Sequence, residues 1–282
     1  MRVSPLDYTI LKHSARACGA NERPQLVILV MSLHHMTSQR QAIRDTWGSV
    51  STLGTWPGTT EQFSIRLCFV LGLSKNDSLN MAVDKEAEKK GDLILVDIDD
   101  TYYNLTRKVL MGFKWIKEFC PIVKHVMKVD EDTYINIPQF IALINSRDWN
   151  NLIYGPYFPS ARVERVGKSM VSEEAYPIAV YPPHVKGNMY CMSVTVAMEI
   201  LAVSEYMPYV NMEDAYITGI LAKIFDVRHA GLPGKQYDLF SAATPCELAT
   251  GNKMVSQQIF NQTFYKIWFG LKDPSLCLTK HP

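Results

Sequence analysis

PQLVILVMSLHHMTSQRQAIRDTWGS, residues 24–49, is the stretch on which the architecture turns. Leu26 to Met31 is an unbroken apolar run. A run of that length, without alternation, is a strand covered on both faces. From Ser38 the spacing becomes helical, with Ser38 as a candidate cap. The same unit recurs downstream. SIRLCFVLG, from Ser64 to Gly72, reads as a second strand, followed by a charged helix, SLNMAVDKEAEKKG, that ends at Gly91. The strand DLILVDI precedes NLTRKVLMGFKWIKEF, where Leu105, Val109, Phe113 and Ile116 fall on one helical face. VKHVMKVDED then reads as strand and IPQFIALINS as helix. This alternation predicts an α/β fold with a mostly parallel central sheet flanked by helices. In such sheets ligands sit at the carboxyl ends of the strands.

The pattern changes at Tyr154. YGPYF and AVYPP are short extended pieces, and SARVERVGKSMVSEEAYP between them is polar and unpatterned, a loop. KGNMYCMS reads as strand, SVTVAMEILAVSEY and EDAYITGILAKIF as helices, and the tail from Gly231 as loop with one aromatic segment, TFYKIWFG. No linker or repeat divides the 282 residues, so a single domain is expected, with 24–150 and 151–282 as its two halves. Lys and Arg number 29 against 28 Asp and Glu, which argues against a nucleic-acid partner held by a general basic field. No apolar run approaches bilayer-spanning length, and MRVSPLDYTILKH has no signal-type apolar core. The chain therefore reads as soluble, or as the lumenal part of a protein anchored from outside this sequence. Six cysteines without a CxxC pair disfavour a zinc finger and suit up to three disulfides, with the pairing open. Cys68 and Cys191 lie in apolar runs that fit buried thiols. Glycosylation sequons occur at Asn76, Asn104 and Asn261.

The chemistry-bearing segment is VMKVDEDTYIN. Asp130 and Asp132, two apart at a strand end, share a face if extended, and so address one ligand. Such paired oxygen donors suit a hard divalent cation, Mn2+ or Mg2+, that can also hold a diphosphate. The bland alternative is a polar turn whose carboxylates cap the next helix. A phosphohydrolase Asp-x-Asp fits less well, because Tyr134 stands where that motif wants Thr or Val and three strands precede it. The second acidic pair, Glu213 and Asp214, opens a helix. It is either a cap or a carboxylate placed to accept a hydroxyl proton.

In order along the chain, these segments resemble the inverting β1,3-glycosyltransferases of the galactosyltransferase-like family. Arg40, Ile43, Arg44, Thr46 and Trp47 resemble R-x-x-I-R-x-T-W, and Phe69 to Gly72 resembles F-x-x-G. Asp97, Asp100, Tyr102, Asn104 to Thr106 and Lys108 resemble D-x-x-D-x-Y-x-N-L-T-x-K. Lys128 to Asn136 resembles K-x-D-x-D-x-x-x-N, YPPHVKGNMYCMS resembles Y-P-P-Y-x-x-G-x-G-Y-x-x-S, and MEDAYITGILAK resembles E-D-V-Y-x-G. The resemblance spans about Gln25 to Lys223.

It implies a GT-A type fold, a UDP-sugar donor, a glycan acceptor, Mn2+ (or Mg2+) and a Golgi setting, with the membrane reached only through an anchor not in this sequence. It implies transfer of galactose or an N-acetylhexosamine, the alternative being a homologue that binds a UDP-sugar or glycan with weakened catalysis. Asp132 would bind metal, Asp130 metal or donor ribose, and Asp214, paired with Glu213, would be the base. Arg44 and Lys108 would face the diphosphate, Gly187 would line the donor, and Trp47 reads as core. Some of the departures from the pattern bear on the site. Met189 replaces the second glycine of the G-x-G, Val185 replaces a frequent cysteine, and no late histidine precedes Ile267-Trp268. His229 is the nearby substitute as a metal ligand.

Overall fold

The strand expected at residues 24–32 lies inside an eight-stranded sheet in a computed structural model that describes all residues except 16–17, 19–22, 54, 234 and 278–282. The strands are β1 (Ile10–Lys12), β2 (Leu26–Met31), β3 (Ile65–Leu73), β4 (Leu93–Asp99), β5 (His125–Asp130), β6 (Leu152–Tyr154), β7 (Met189–Ser193) and β8 (Arg228–Ala230). Their spatial order is β1-β4-β3-β2-β5-β7-β6-β8. The β4-β3-β2-β5 block is parallel. β7 runs antiparallel to both β5 and β6, β1 is antiparallel to β4, and β8 is parallel to β6. The change of direction follows from the connections. Parallel neighbours need a crossover helix, whereas β6 reaches β7 through short two-residue ladders and loop.

Every residue of β2 is buried. Leu26, Ile28 and Val30 join one core, while Val27, Leu29 and Met31 join the core on the other face. This is the α/β sandwich that the uninterrupted apolar run predicted. The helices are α1 (Thr37–Asp45), α2 (Asp77–Lys90), α3 (Leu105–Phe119), α4 (Ile137–Asn145), α5 (Val194–Ser204) and α6 (Gln262–Lys272), with shorter turns between. Val109, Phe113 and Ile116 of α3 are buried as their spacing required. α2 is capped by the Asn76 side chain and stopped by Gly91 at φ 69°, a conformation glycine adopts without strain.

Several local expectations are corrected. Ser38 lies inside α1, because a single 3-10 turn, His34–Met36, runs directly into the helix and leaves Met36 at the N-cap position. Asp130 and Asp132 do not cap α4; the Asn136 side chain accepts from Gln139 N–H at 3.2 Å. The aromatic tail segment is helical, with Phe264, Ile267 and Trp268 buried. Cys18–Cys120 and Cys246–Cys277 are disulfides, while Cys68 and Cys191 are buried thiols.

α1 is clamped to α2 by ion pairs. The fully buried Arg40 guanidinium donates to both Glu86 oxygens, at 2.9 and 2.6 Å, and to Ser32 Oγ and the Leu33 carbonyl at 2.9 and 2.6 Å. It thereby fixes the turn that leaves the carboxyl end of β2. Burial alone would raise the Glu86 pKa, but Arg40 and Arg44 outweigh it and hold the carboxyl below its usual range. Arg40→Leu should destabilise the fold by about 3 kcal/mol, because it leaves the buried Glu86 carboxylate with Arg44 alone and takes the donor from Ser32 Oγ and the Leu33 carbonyl. Urea unfolding of the purified variant checks this.

Candidate active site

β2, β4 and β5 all end on the same edge of the sheet, where Met31 pairs with Asp130. β7 starts there, because Met189 pairs with Val129. The residues just before β7, Gly187 and Asn188, thus meet the residues just after β5. Two adjoining hollows open at this edge. One, of about 250 Å³, is lined by Asp130, Asp132, Gly187, Asn188, Glu213 and Asp214 among others. The other, of about 350 Å³, includes Ser32, Asp100, Lys108 and Glu131. Tyr102, Leu105, Asp130 and Asp132 line both. A roomier hollow of about 520 Å³ lies by Lys124, His125 and Ser193, at the opposite end of β5 and β7 and away from the acidic pairs.

Asp130 and Asp132 are brought together by a turn rather than by a strand pleat. β5 ends at Asp130, and the Thr133 N–H closes back onto the Asp130 carbonyl at 3.1 Å. Burial, with Asp130 alongside, pushes the Asp132 pKa up. Burial also pushes the neighbouring Glu131 up to about 7. Lys128 lies beneath them, fully buried. Its ammonium donates to Asp130 Oδ1 at 2.7 Å and to the Gly187 carbonyl, and it stands 3.2 Å from Glu213 Oε2. Burial opposes its charge, but Asp130 and Glu213 outweigh burial and hold its pKa above the usual lysine range.

Glu213 is 4% exposed and accepts from the Tyr190 hydroxyl. Burial pushes it up to about 7 despite the pull of Lys128, with Asp214 adding to the rise. Asp214 is half-buried beside it. Its Oδ2 accepts from Gly187 N–H at 2.9 Å and its Oδ1 from Ala215 N–H at 2.8 Å. A Cβ on Gly187 would come within 3.1 Å of Glu213 Oε2 and 3.2 Å of Asp214 Cβ, so the acidic pair sits this close only because residue 187 has no side chain. Gly187 spends its N–H on Asp214 and its carbonyl on Lys128, and shapes the wall of the hollow.

The segment after Asp214 is helical, as its sequence reads. Ala215–Leu221 is π-helical and continues as α-helix over Ala222–Ile224. A π turn is wider than an α turn, and such turns recur at functional sites. The wide turn keeps Gly219 against the 182–184 loop, where a Cβ would lie 3.1 Å from His184 Cβ. Thr218 Oγ1 joins the two elements, accepting from Val185 N–H at 3.1 Å and donating to the Asp214 carbonyl at 2.7 Å.

Two expected residues are elsewhere. Arg44 is bidentate to Asp92 at 2.8 Å, paired with Glu86 at 2.8 Å and stacked over Phe69, and it lines neither hollow. Two carboxylates already claim its guanidinium. Among the described residues no Asp or Glu pairs with His229, whose Nε2 lies 2.5 Å from the Thr218 carbonyl. It is in register with Ile153, Met192 and Val126 across the sheet. That places it about 14 Å sideways and about 13 Å back along the strands from Asp130. Lys108 does line the second hollow, but its ammonium already binds Asp100 at 2.6 Å and the Ser32 carbonyl at 2.9 Å. Lys128 and Tyr190 were visible in the quoted motifs without an assigned role. Tyr237 and Gln257, which reach the wall from the tail, left no signal in the sequence.

Among the described residues, no group of three or more His, Cys, Asp or Glu is arranged to hold a metal. Asp130 and Asp132 nevertheless fit a hard cation that takes its remaining ligands from phosphate and water. They are neighbouring carboxyl groups in a partly buried hollow, and a cation would offset both the burial and the Asp130 repulsion that raise Asp132.

The galactosyltransferase family profile matches residues 38–233. β1,3-Galactosyltransferase 5 of Pan troglodytes is 33% identical over 210 residues, covering 73% of this chain and 67% of that protein. β1,3-Galactosyltransferase 1 of Mus musculus is 31% identical over 226 residues, covering 79% and 67%. Among solved structures, mouse xyloside xylosyltransferase 1 superposes with a TM-score of 0.37 at 8% identity, covering 76% of this chain and 86% of that one.

Glu213 gives a signed pH prediction. The unfolded carboxyl loses its proton near pH 4.3, while the folded one keeps it to about 7, so the folded state binds more protons between those values. Glu213 therefore makes stability fall as pH rises through that window. In Glu213→Gln this part of the slope should vanish, as read by urea unfolding of both proteins across the window.

Proposed function

Because this chain belongs to the galactosyltransferase family, we propose that it moves galactose, or an N-acetylhexosamine, from a UDP-sugar to an acceptor glycan hydroxyl in β1,3 linkage with inversion. The observation that carries this reading is that Asp214, remote in sequence from Asp130 and Asp132, lines one hollow with them at the carboxyl ends of the parallel strands. The GT-A reading agrees with that placement.

Asp214 takes the proton of the acceptor hydroxyl. Its two N–H donors fix the carboxylate's direction and leave each oxygen a free lone pair for the proton. The acceptor oxygen forms its bond to the anomeric carbon opposite the bond to the diphosphate, which breaks with its electrons leaving on UDP; inversion follows from that geometry. Asp130 and Asp132 would hold Mn2+ or Mg2+, which when bound supplies positive charge against the departing diphosphate. Lys128 stays off the substrate, because Asp130, Gly187 and Glu213 already take its ammonium. It keeps the floor of the site rigid.

Two disulfides and three sequons support an oxidising lumen, and the Golgi is the lumen proposed. Among the described residues, no helix is long and apolar enough to cross a membrane. The remote position of His229 favours one second reading, a homologue that binds a UDP-sugar but turns it over weakly.

The test is incubation of the purified protein with UDP-galactose or UDP-N-acetylglucosamine, a sugar acceptor and Mn2+, with products read by mass. Transfer is expected. UDP binding without turnover would favour the second reading, and neither binding nor turnover with any common UDP-sugar would overturn both. Asp132→Ala should remove metal-dependent UDP binding in calorimetry. Asp214→Asn should keep that binding and lower turnover by about 100-fold or more; loss of binding in both variants would refute the division of roles.

A further inference from the structure

Among the described residues, four lysines line the two hollows, Lys128 and Lys186 in the smaller and Lys108 and Lys168 in the larger. Lys108 and Lys128 are each paired with a carboxylate, at 2.6 and 2.7 Å. Lys168 is exposed and lies over the Tyr102 ring, 4.6 Å from its centre. Lys186 is half-buried, and among the described residues no carboxylate pairs with it. Its ammonium donates to the Leu239 carbonyl at 2.6 Å and to Gln257 Oε1 at 2.5 Å, both neutral. An ammonium carries three N–H bonds, so one remains for a ligand. In the family pattern the position is the second open x of Y-P-P-Y-x-x-G, so the resemblance assigns it no role.

The lysine is held at both ends. Its backbone N–H donates to the Pro156 carbonyl at 2.8 Å, and the next N–H, that of Gly187, donates to Asp214 Oδ2 at 2.9 Å. At its head, Gln257 lies two residues before Ile259, whose N–H donates to the Asp132 carbonyl at 2.8 Å. The side chain therefore runs from the carboxylate proposed as the base toward the turn proposed to hold the leaving group. Burial holds its pKa below the usual lysine range, against the support of Asp214, Asp132 and Asp130, in that order. A half-buried cation whose bonded partners are all neutral lacks the acceptor that Lys108 and Lys128 have. A phosphate oxygen entering the hollow supplies one, in a charge-assisted bond.

We propose that Lys186 is a catalytic residue that pairs with the β-phosphate of the donor, a fixed positive charge in addition to the cation that Asp130 and Asp132 would hold. The β-phosphate is singled out over the α-phosphate because it bears the bond to the sugar, and so lies toward Asp214. As that bond breaks with its electrons leaving on UDP, the new negative charge falls on a β-phosphate oxygen, and an ammonium already in place meets it without rearrangement. The proposal rests on the UDP-sugar reading above and deepens it: recognition of the diphosphate is divided between a divalent cation and a side chain of the protein.

The test measures calorimetric affinities of wild type, Lys186→Gln and Lys186→Arg for UDP and for UMP, each with Mn2+ and with EDTA. Wild type should prefer UDP to UMP by about tenfold even in EDTA, because the lysine remains when the metal is removed. Lys186→Gln keeps a donor for the Leu239 carbonyl but not the charge. It should lose about tenfold for UDP and less than about twofold for UMP, with kcat falling as well. Lys186→Arg should restore most of the preference for UDP. A side chain that only ties the tail to the hollow predicts equal losses for UDP and UMP in Lys186→Gln, or none, and either result overturns the proposal. Absence of a UDP-over-UMP preference in wild type with EDTA also overturns it, and that measurement needs no variant to fold. If wild type then still binds UDP with Mn2+, the UDP-sugar reading stands; wild type that binds UDP under neither condition overturns both.

Discussion

The Lys128 ammonium, fully buried beneath the acidic hollow, is the interaction on which the site depends. A charge in that position is tolerated only if acceptors surround it. It finds them on three segments: Asp130 at the end of its own strand, Gly187 just before β7, and Glu213 at the start of the π-helical segment. Each contact costs desolvation unless the others are present. The three segments are therefore fixed together, and Asp214, next to Glu213, is fixed with them.

Much of the family pattern serves this kind of bracing rather than ligand contact. Asp100 accepts from Gly72 N–H at 2.9 Å and from Lys108 at 2.6 Å, which ties β3, the end of β4 and α3 at one corner. Gly72 has no room for a side chain there, since a Cβ would lie 2.3 Å from the Ile98 carbonyl. Arg40 holds the turn after β2, and Arg44 pins α1 to the residue that precedes β4. Cations in a motif beside an anion site invite assignment to the ligand. Here buried carboxylates compete for them and win, because two short charge-assisted bonds at a fixed geometry outweigh a more distant anion.

The departures from the pattern are absorbed locally. The segment after Asp214 takes a π turn, and Thr218 and Gly219 face the 182–185 loop. Met189, in place of a glycine, turns into the core beside Val129 and leaves the hollow to Asn188. The disulfides lie away from these elements. One joins Cys18 to the end of α3, and the other joins Cys246 to the segment after α6.

By itself the sequence determined what is periodic or contiguous. The uninterrupted apolar run of β2, the one-sided stripe of α3 and the alternation up to Asn145 follow from local spacing, and so do the β5 carboxylates at a strand end. Only tertiary structure decided which charges are free. Arg44 and His229 look available in one dimension, yet Asp92, Glu86 and the Thr218 carbonyl lie against them once the chain is folded. It also decided the antiparallel entry of β7, which carries Gly187 and Asn188 to Asp130, and the approach of Tyr237 from the tail. Those contacts join residues tens of positions apart, so no periodicity encodes them; they exist because buried polar groups need partners, and the partners come from whichever segment packing brings near.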